Sequence, residues 1–438
     1  MCRGRREVDA AYELFNIPEA TPEKVLEGHL QATKQRVSQE KRVVVVQDAT
    51  ELDLTSPEQQ EAEVGYLDQP EWQGIYAHVA HAFTCQGVPL GTTFTKMWTR
   101  SGEERSISSE ARRKKRKTAP IETKESYRWS EAFRAVAAIA EKCPNTEFVC
   151  VGDSEADIYE LLLEHEKTPR VQLLVRACHN RVAEDDSGYM VSLVDLLTRA
   201  PAGLEYEVVV PEREAKITCE KRPRRQSRPQ RKATMEVRAA PVTLPPPRQH
   251  SRDRPVIRIN AVLVRERDAP AGEEPVEWIL LTHLPTGEPK QVAEVVELYR
   301  LRCQIEVYFR TLKDGCRVEK QLFDYLDRPS NFLAAAMVVA WRVLYLSQMG
   351  DICPDISCEA ILEPSEWKAV WTILKGAPPP AEPPKLNQMV RMVAQLGGYM
   401  DYKNRKDRPG PKTLWRGLQR MCNLSLSWDV FGPEARSS

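Results

Sequence analysis

The sequence predicts an α/β fold that contains a β-rich insertion and ends in a helical C-terminal region. Two short apolar runs, VVVV at 43–46 and FVCVG at 148–152, have the composition of strands buried on both faces of a sheet. Helical patterns flank the second run. From 181 to 290 the chain is instead rich in Pro, Arg and β-forming residues, which indicates the insertion. A Pro-rich linker at 377–384 precedes the helical C-terminal region.

The elements can be placed in order along the chain. Residues 8–40 are polar with a helical pattern, in which Thr21 is a typical cap and Pro22 a typical first helical residue. After the first apolar run, a two-strand meander is expected at 74–84 and 89–99. The remaining predicted elements are helices at 127–143, 154–166, 289–313 and 330–349 and strands at 148–153, 171–176, 205–211, 234–240, 256–265 and 277–282.

Composition indicates a soluble protein of the cytoplasm. Lys and Arg number 63, as do Asp and Glu, so the net charge does not identify a partner. The basic blocks at 112–117 and 221–232 are equally well explained as nucleic-acid contacts and as solvated loops. Eleven dispersed cysteines without a CxxC pair indicate reduced thiols. No apolar run reaches the ~20 residues of a membrane span, and the N-terminus lacks the apolar centre of a signal peptide.

Four polar side chains form the most informative pattern in the sequence. They are Tyr299, Arg302, Glu306 and Lys313. At about 100° of rotation per residue they fall within one narrow stripe of an α-helix, and Arg310 lies at the edge of that stripe. A single helix that presents a carboxylate, cations and a phenol along one line is suited to a metal ion beside a phosphate chain.

Two further carboxylates follow strand-like runs. Asp48 ends VVVVQD and Asp153 ends FVCVGD, and ligands of α/β folds bind at the carboxyl ends of strands. With Glu306 they make a set of oxygen ligands suited to two Mg²⁺ or Mn²⁺ ions. There is a plainer interpretation of each residue: an Asp after a strand is usually a turn residue or a helix cap, and Glu306 could pair with Arg302 or Arg310.

The chain resembles the cut-and-paste bacterial DDE transposases, insertion-sequence enzymes similar to the transposon-five transposase. The spacing of Tyr299, Arg302, Glu306 and Lys313 matches the Tyr-Arg-Glu-Lys signature of that family, and QDATELDL and GDSEADIYELL resemble its two aspartate motifs. Other segments that resemble the family are EWILLTHLP, FRTLKDGCRVEKQLF, AWRVLYL, LGGYMD and GPKTLWRGLQRM.

The resemblance implies a ribonuclease-H-like mixed sheet with flanking helices. It implies that Asp48, Asp153 and Glu306 bind two Mg²⁺ ions, for which Mn²⁺ can substitute, and catalyse phosphodiester hydrolysis and transesterification. The implied steps are a nick at the transposon end, attack of the freed 3′-OH on the opposite strand to form a hairpin, hairpin opening, and strand transfer into target DNA.

The resemblance also implies how double-stranded DNA is held. Tyr299, Arg302 and Lys313 would hold phosphates near a flipped base, and Trp278 would stack on that base, although a core Trp on a strand is the plainer interpretation. Arg176 and Arg310 are further candidate DNA contacts. The implied partners are transposon ends and target DNA, bound by a homodimer in a synaptic complex that is associated with the nucleoid and with no membrane.

The implied domain organisation has five segments. They are a remnant of an N-terminal helical DNA-binding domain at 1–40, the first part of the catalytic core at 41–180, the β-rich insertion at 181–290, the second part of the core at 291–350, and a helical dimerisation region at 351–438.

Two departures from the family pattern leave alternatives open. Only 47 residues precede Asp48, so much of the family's end-recognition domain is expected to be absent, and Cys303 stands where some relatives have a Trp. The alternative function is a shortened, non-transposing DNA-binding protein that inhibits through mixed dimers. A ribonuclease-H-type structure-specific nuclease would explain the three carboxylates, but it would not explain the Tyr-Arg-Lys pattern.

Overall fold

A computed structural model describes most of the chain. The described residues are 5–55, 64–69, 71–101, 119–185, 187–212, 227–247, 254–273, 275–320, 328–400 and 408–433. The basic block at 112–117 lies outside them, as do the first six residues of the block at 221–232.

The described regular elements, in chain order, are as follows. The strands are β1 (Arg42–Asp53), β2 (Gly65–Tyr66), β3 (Gln73–Thr84), β4 (Pro89–Trp98), β5 (Glu147–Gly152), β6 (Val171–Arg176), β7 (Val182–Glu184), β8 (Met190–Ser192), β9 (Ala202–Val210), β10 (Arg231–Leu244), β11 (Ile257–Glu266) and β12 (Glu277–Thr282). The α-helices are α1 (Arg5–Asn16), α2 (Pro22–Val37), α3 (Tyr127–Ala140), α4 (Tyr159–Lys167), α5 (Leu193–Arg199), α6 (Pro289–Arg300), α7 (Cys303–Arg310), α8 (Pro329–Ile352), α9 (Pro364–Lys375), α10 (Leu386–Leu396) and α11 (Pro411–Phe431).

The strands form a mixed sheet, which confirms the predicted α/β class. The order is β2-β3-β1-β5-β6-β12-β11-β10-β7-β8, with β4 paired to β3 and β9 paired to β10. Strands β5 and β6 are parallel, whereas β11 is antiparallel to both β10 and β12. The antiparallel strands β9 to β12 fall within the segment whose composition predicted a β-rich insertion.

The chain divides into two compact units that share β1. The first unit contains residues 1–43, 48–119 and 303–438. The second contains residues 44–47 and 120–302.

In the first unit, α2 begins as its sequence predicts. The Thr21 side chain accepts a hydrogen bond from the Lys24 amide at 3.3 Å, and Pro22 occupies the first helical position, where its missing N–H costs nothing. Strands β3 and β4 pair antiparallel, as expected for the predicted meander.

Helix α8 runs through the core of the first unit. Among the described residues it is the one helix long and apolar enough to cross a membrane, which corrects the expectation that no run reaches that length. Its side chains Leu333, Met337 and Ala340 are nevertheless fully buried, and the Trp341 indole N–H donates to the Pro89 carbonyl of β4 at 2.9 Å. These contacts pack one face of the helix into the core of the first unit, so its length and composition alone are weak evidence for a membrane span.

The C-terminal helices pack around a second apolar cluster in the first unit. Trp367 of α9 is buried in it, beside side chains of α8, α10 and α11. Helices α10 and α11 approach so closely that a Cβ on Gly397 would lie 1.9 Å from the Thr413 carbonyl oxygen, and one on Gly417 would lie 1.9 Å from that of Val393. Glycine at these two positions is what allows the helices to touch.

In the second unit, helices cover the parallel strand pair β5 and β6. Trp129 and Phe133 of α3 are buried, as is every residue of β5 after Glu147. The predicted helix at 154–166 is only partly correct. Ser154–Ala156 form a 3₁₀ turn, and α4 begins at Tyr159 because Ile158 has extended backbone angles.

Candidate active site

The signature segment is not one continuous helix, contrary to the prediction from its spacing. Helix α6 ends at Arg300 and α7 begins at Cys303. Between them the winding tightens, because the Leu301 and Arg302 amides donate to carbonyls three residues back, at 3.2 and 3.0 Å.

A second irregularity follows α7. Thr311–Gly315 form a π-helical turn closed by the Cys316 amide, which donates to the Thr311 carbonyl five residues back at 2.8 Å. Lys313 therefore leaves the 3.6-residue register on which the predicted stripe depends. Tyr299 and Arg302 belong to the second unit, and Glu306, Arg310 and Lys313 belong to the first.

Within the second unit, three predicted site residues lie near the phenol of a fourth, Tyr299. Burial raises the pKa of Tyr299, and the nearby Arg302 and Arg176 guanidinium groups act against that rise. Arg176 also hydrogen-bonds to the phenol, and Asp153 lies close enough to contribute to its electrostatic environment. One carboxylate and two guanidinium groups thus act electrostatically on the Tyr299 phenol.

Asp153 directly follows β5, as predicted, and it serves as a turn residue. Its Oδ1 accepts a hydrogen bond from the Glu155 amide at 2.8 Å, and Glu155 in turn pairs with Arg128 at 2.8 Å. The hydrogen bond from the Glu155 amide occupies Oδ1, so Oδ2 is the carboxylate oxygen that could coordinate a metal ion. The cap interpretation and the metal interpretation are therefore compatible for this residue.

Asp157 was not recognised from the sequence as part of this site. Its side chain is fully buried and pairs with the Arg181 guanidinium at 2.6 Å. Its Oδ2 also accepts a hydrogen bond from the Cys178 amide at 2.8 Å. The only sequence signal was the second Asp of GDSEAD, four residues after Asp153, which carries no information about the distant Arg181.

Trp278 lies on β12 opposite Val264 of β11. The ring is half-buried, and its indole N–H is buried with no hydrogen-bond partner among the described residues. A half-buried ring leaves surface for a stacked base, so base stacking stays a prediction.

Within the first unit, Asp48 does not end its strand. Strand β1 continues for five residues beyond it, to Asp53, which corrects the sequence interpretation of a strand that stops at Asp48. The Oδ1 atom of Asp48 accepts a hydrogen bond from the Ala49 amide at 2.7 Å. Glu306 and Arg310 are exposed, in the first and last turns of α7.

A cavity of about 330 Å³ lies beside the second half of β1 in the first unit. Its lining residues are Ala49, Thr50, Glu51, Asp53, Leu67, Trp72, Lys313 and Glu319. Glu319 lies 3.6 Å from the Lys313 ammonium group and accepts a hydrogen bond from the Asp53 amide at 3.1 Å. Lys313 is therefore held against β1 by an acidic neighbour that the sequence pattern did not single out.

Glu51 on the wall of this cavity shares a proton with a neighbouring carboxylate. Burial raises its pKa to about 7, and the charge of Asp68 and a hydrogen bond with Asp68 contribute to the rise. The pKa of Asp68 is lowered even though burial opposes this, because Arg100 and Glu51 both donate hydrogen bonds to it. Glu51 therefore carries the proton of the pair.

This pair predicts a loss of stability as pH rises. The folded protein binds a proton at Glu51 that the unfolded chain releases near pH 4.5, so the free energy of unfolding should fall between about pH 4.5 and 7. Glu51→Gln should remove that fall, because its amide can replace the protonated carboxyl. Thermal melting of both proteins across this range measures the effect, with the exposed Glu27→Gln as control. A variant that loses stability as steeply as the parent would contradict the assignment.

Within either unit, no three Asp, Glu, His or Cys side chains of the described ranges lie close enough to hold a metal ion together. Asp48 and Glu306 belong to the first unit and Asp153 to the second. The three are carboxylates, the donors that hard divalent cations prefer, so their chemistry fits such an ion.

Comparison with known protein families gives two matches. A family profile described as the transposase DDE domain matches residues 130–341. That interval contains every predicted site residue except Asp48. A second profile, described as the transposase Tn5 dimerisation domain, matches residues 338–427, which include α9 and α10. DDE transposases have a ribonuclease-H-like fold and use divalent metal ions. The two matches follow one another along the chain, and together they support a Tn5-like DDE transposase.

Proposed function

We propose that this transposase cuts and pastes DNA by nicking transposon ends, forming hairpins and transferring strands into target DNA. The observation that carries the proposal is the group of Arg176, Arg302 and Asp153 around Tyr299. Cations beside a carboxylate and a hydrogen-bonding phenol suit a phosphodiester at a reacting centre. The match to a DDE domain supports the same assignment.

Asp48, Asp153 and Glu306 are the residues proposed to hold Mg²⁺, for which Mn²⁺ can substitute. When bound, two such ions would activate the attacking oxygen and stabilise the leaving oxygen. The proposal requires the three carboxylates to meet in the DNA-bound protein. Asp153 would contribute its Oδ2, because its Oδ1 accepts the hydrogen bond from the Glu155 amide.

The cationic residues are proposed to position DNA. Arg176 and Arg302 would each contact a phosphate, and their planar groups can bind two phosphate oxygens at once. Tyr299 would hold the same backbone through its hydroxyl. Lys313 and Arg310 would contribute positive charge from the first unit.

The protein is proposed to act as a homodimer that holds two transposon ends and, later, target DNA. The dimerisation profile at 338–427 supports this assembly and overlaps the predicted dimerisation region at 351–438. The proposal also includes the other predicted segments, in which the catalytic core is formed by residues 41–180 and 291–350.

Incubation of the purified protein with DNA that carries the element's ends tests the proposed function. With Mg²⁺, denaturing gels should show nicked strands first and hairpin ends later, and chelation should abolish both products. Nicks that never become hairpins would indicate a structure-specific nuclease. Binding of the ends without any cleavage would instead favour an inhibitory DNA-binding protein.

Trp278→Ala is expected to slow hairpin formation more than the first nick. An indole that stacks on a flipped base contributes about 1–3 kcal/mol, which corresponds to roughly 5-fold to 150-fold in the rate of the step that needs the flipped base. Time courses on one labelled end measure the two rates separately. Equal slowing of both steps would place Trp278 in the core rather than on DNA, and Trp278→Phe, which keeps a stacking ring, should be close to the parent.

A further inference from the structure

Asp157 connects two loops that carry site residues of the second unit. One is the turn after Asp153, at whose end Asp157 lies. The other is the segment after Arg176, where the Cys178 amide donates to Asp157 Oδ2 at 2.8 Å. Arg181, at the end of that segment, donates through Nε to Asp157 Oδ1 and through Nη2 to the Asp157 backbone carbonyl, both at 2.8 Å.

The segment from 177 to 181 is fixed at both ends. At its start, the Ala177 amide donates to the Ile279 carbonyl of β12 at 2.8 Å. At its end, the Arg181 carbonyl accepts from the Leu193 amide at 2.7 Å, at the beginning of α5. Asp157 provides the side-chain contacts in between, so the direction in which the chain leaves Arg176 depends on it.

The burial of Asp157 argues for a geometric role. Its side chain has no exposed surface, whereas its partner Arg181 keeps 23% of its side-chain surface exposed. A buried ion pair is often no more stabilising than well-packed apolar residues, because both charges lose hydration. What such a pair does provide is a fixed orientation, since the carboxylate accepts from a guanidinium and a backbone amide at once.

We infer that Asp157 is a positioning residue that holds Arg176 in the orientation needed to contact a DNA phosphate. The inference rests on the proposed function only in taking DNA as the ligand of Arg176. Asp157 itself does not contact the reacting atoms. It fixes the loop after Arg176 against the turn after Asp153, and so keeps the phosphate contact and the proposed metal ligand in one geometry.

Salt dependence of DNA binding tests the inference without relying on catalysis. Log K for DNA binding falls as log salt concentration rises, and each phosphate contact adds about 0.9 to the steepness of that slope. Arg176→Gln should therefore lower the steepness by about 0.9 on a short duplex of arbitrary sequence. Asp157→Asn, which keeps the size of the side chain, should lower it by a similar amount. The double variant should show no further loss, because both changes remove the same contact.

Glu164→Gln is the matched control. Glu164 is 8% exposed and pairs with Arg134 at 2.7 Å in the same unit, so its loss also breaks a largely buried pair. It should leave the salt slope unchanged even if it lowers the melting temperature. If Asp157 contributed only to stability, Asp157→Asn would melt at a lower temperature, as the control can, but its salt slope would equal that of the parent protein.

The outcomes separate the inference from the proposed function. A parental slope in folded Asp157→Asn, or in Arg176→Gln, would overturn the inference. If Asp157→Asn does not fold, Arg181→Lys takes its place in the experiment, because Lys keeps the positive charge but lacks the planar fork of donors. A parental salt slope in Arg181→Lys would also overturn the inference. Failure of the parent protein to nick its ends would overturn the proposed function and leave the slope comparison valid.

Discussion

Glu306→Gln is expected to abolish metal-dependent nicking of a transposon end while DNA binding stays close to that of the parent. Gln keeps the length of the side chain but removes the negative charge with which a carboxylate binds a divalent cation. Glu306 is exposed in the first turn of α7, so the fold should tolerate the change. We expect a loss larger than the ~100-fold typical of replacing a group that merely supports a metal ligand.

Single-turnover nicking of a labelled end measures this effect, and gel-shift titration of the same DNA measures binding. Glu297→Gln is the matched control, since Glu297 is an exposed glutamate of α6 whose pairing with Arg300 contributes little. It should nick at the parent rate. Nicking by Glu306→Gln within about tenfold of the parent would exclude Glu306 as a metal ligand, because loss of a direct ligand must exceed supporting effects.

Trp367→Ala is expected to destabilise the C-terminal helices by about 3–5 kcal/mol. The indole is only 1% exposed within the apolar cluster of the first unit. Its N–H also donates to the Glu359 carboxylate at 2.9 Å, so truncation removes a hydrogen bond as well as the packing. The cavity left behind would be lined by side chains of helices that are already closely packed, which limits how far the site can collapse.

Chemical denaturation monitored by circular dichroism measures the change. Trp371→Ala is the matched control, because Trp371 lies one helical turn later on α9 and is only partly buried against the same cluster. Trp371→Ala should lower the free energy of unfolding clearly less than Trp367→Ala does. Equal losses of stability in the two variants would mean that Trp367 is not the centre of the cluster. If these helices form the dimer surface, the less stable variant should also dissociate into monomers in sedimentation.

Most regular elements were predictable because they depend on local patterns. The strand at 171–176 and the strand at 277–282 have the bounds that composition predicted. Helix α2 begins at its predicted cap for the same reason. In each case the apolar periodicity and the capping residues agree with the tertiary structure.

The errors occurred where hydrogen bonds override periodicity. The signature segment repeats its polar residues at helical spacing, yet the Arg302 amide bonds three residues back and the Cys316 amide bonds five residues back. Neither change is visible in side-chain spacing. Strand β1 continues past Asp48 because pairing continues, and a charged residue within a strand does not by itself end it.

The candidate site was predictable in its residue types but not in its supporting contacts. Tyr299 and Asp153 were identified from motifs and Arg176 from its place after a strand, and the structure brings the three together. The contacts of Asp157 with Arg181 and of Glu319 with the Asp53 amide join residues 24 and 266 positions apart. Such pairs depend on topology, which a single sequence does not encode in any local pattern.

Anomalous diffraction from Mn²⁺ in crystals of the protein bound to a transposon end tests the central claim most directly. If Asp48, Asp153 and Glu306 hold the ions, the manganese peaks should lie about 2.0–2.3 Å from oxygen atoms of all three carboxylates, a distance typical of a small hard cation. Peaks coordinated by other residues, or one of the three carboxylates turned away from every peak, would contradict it.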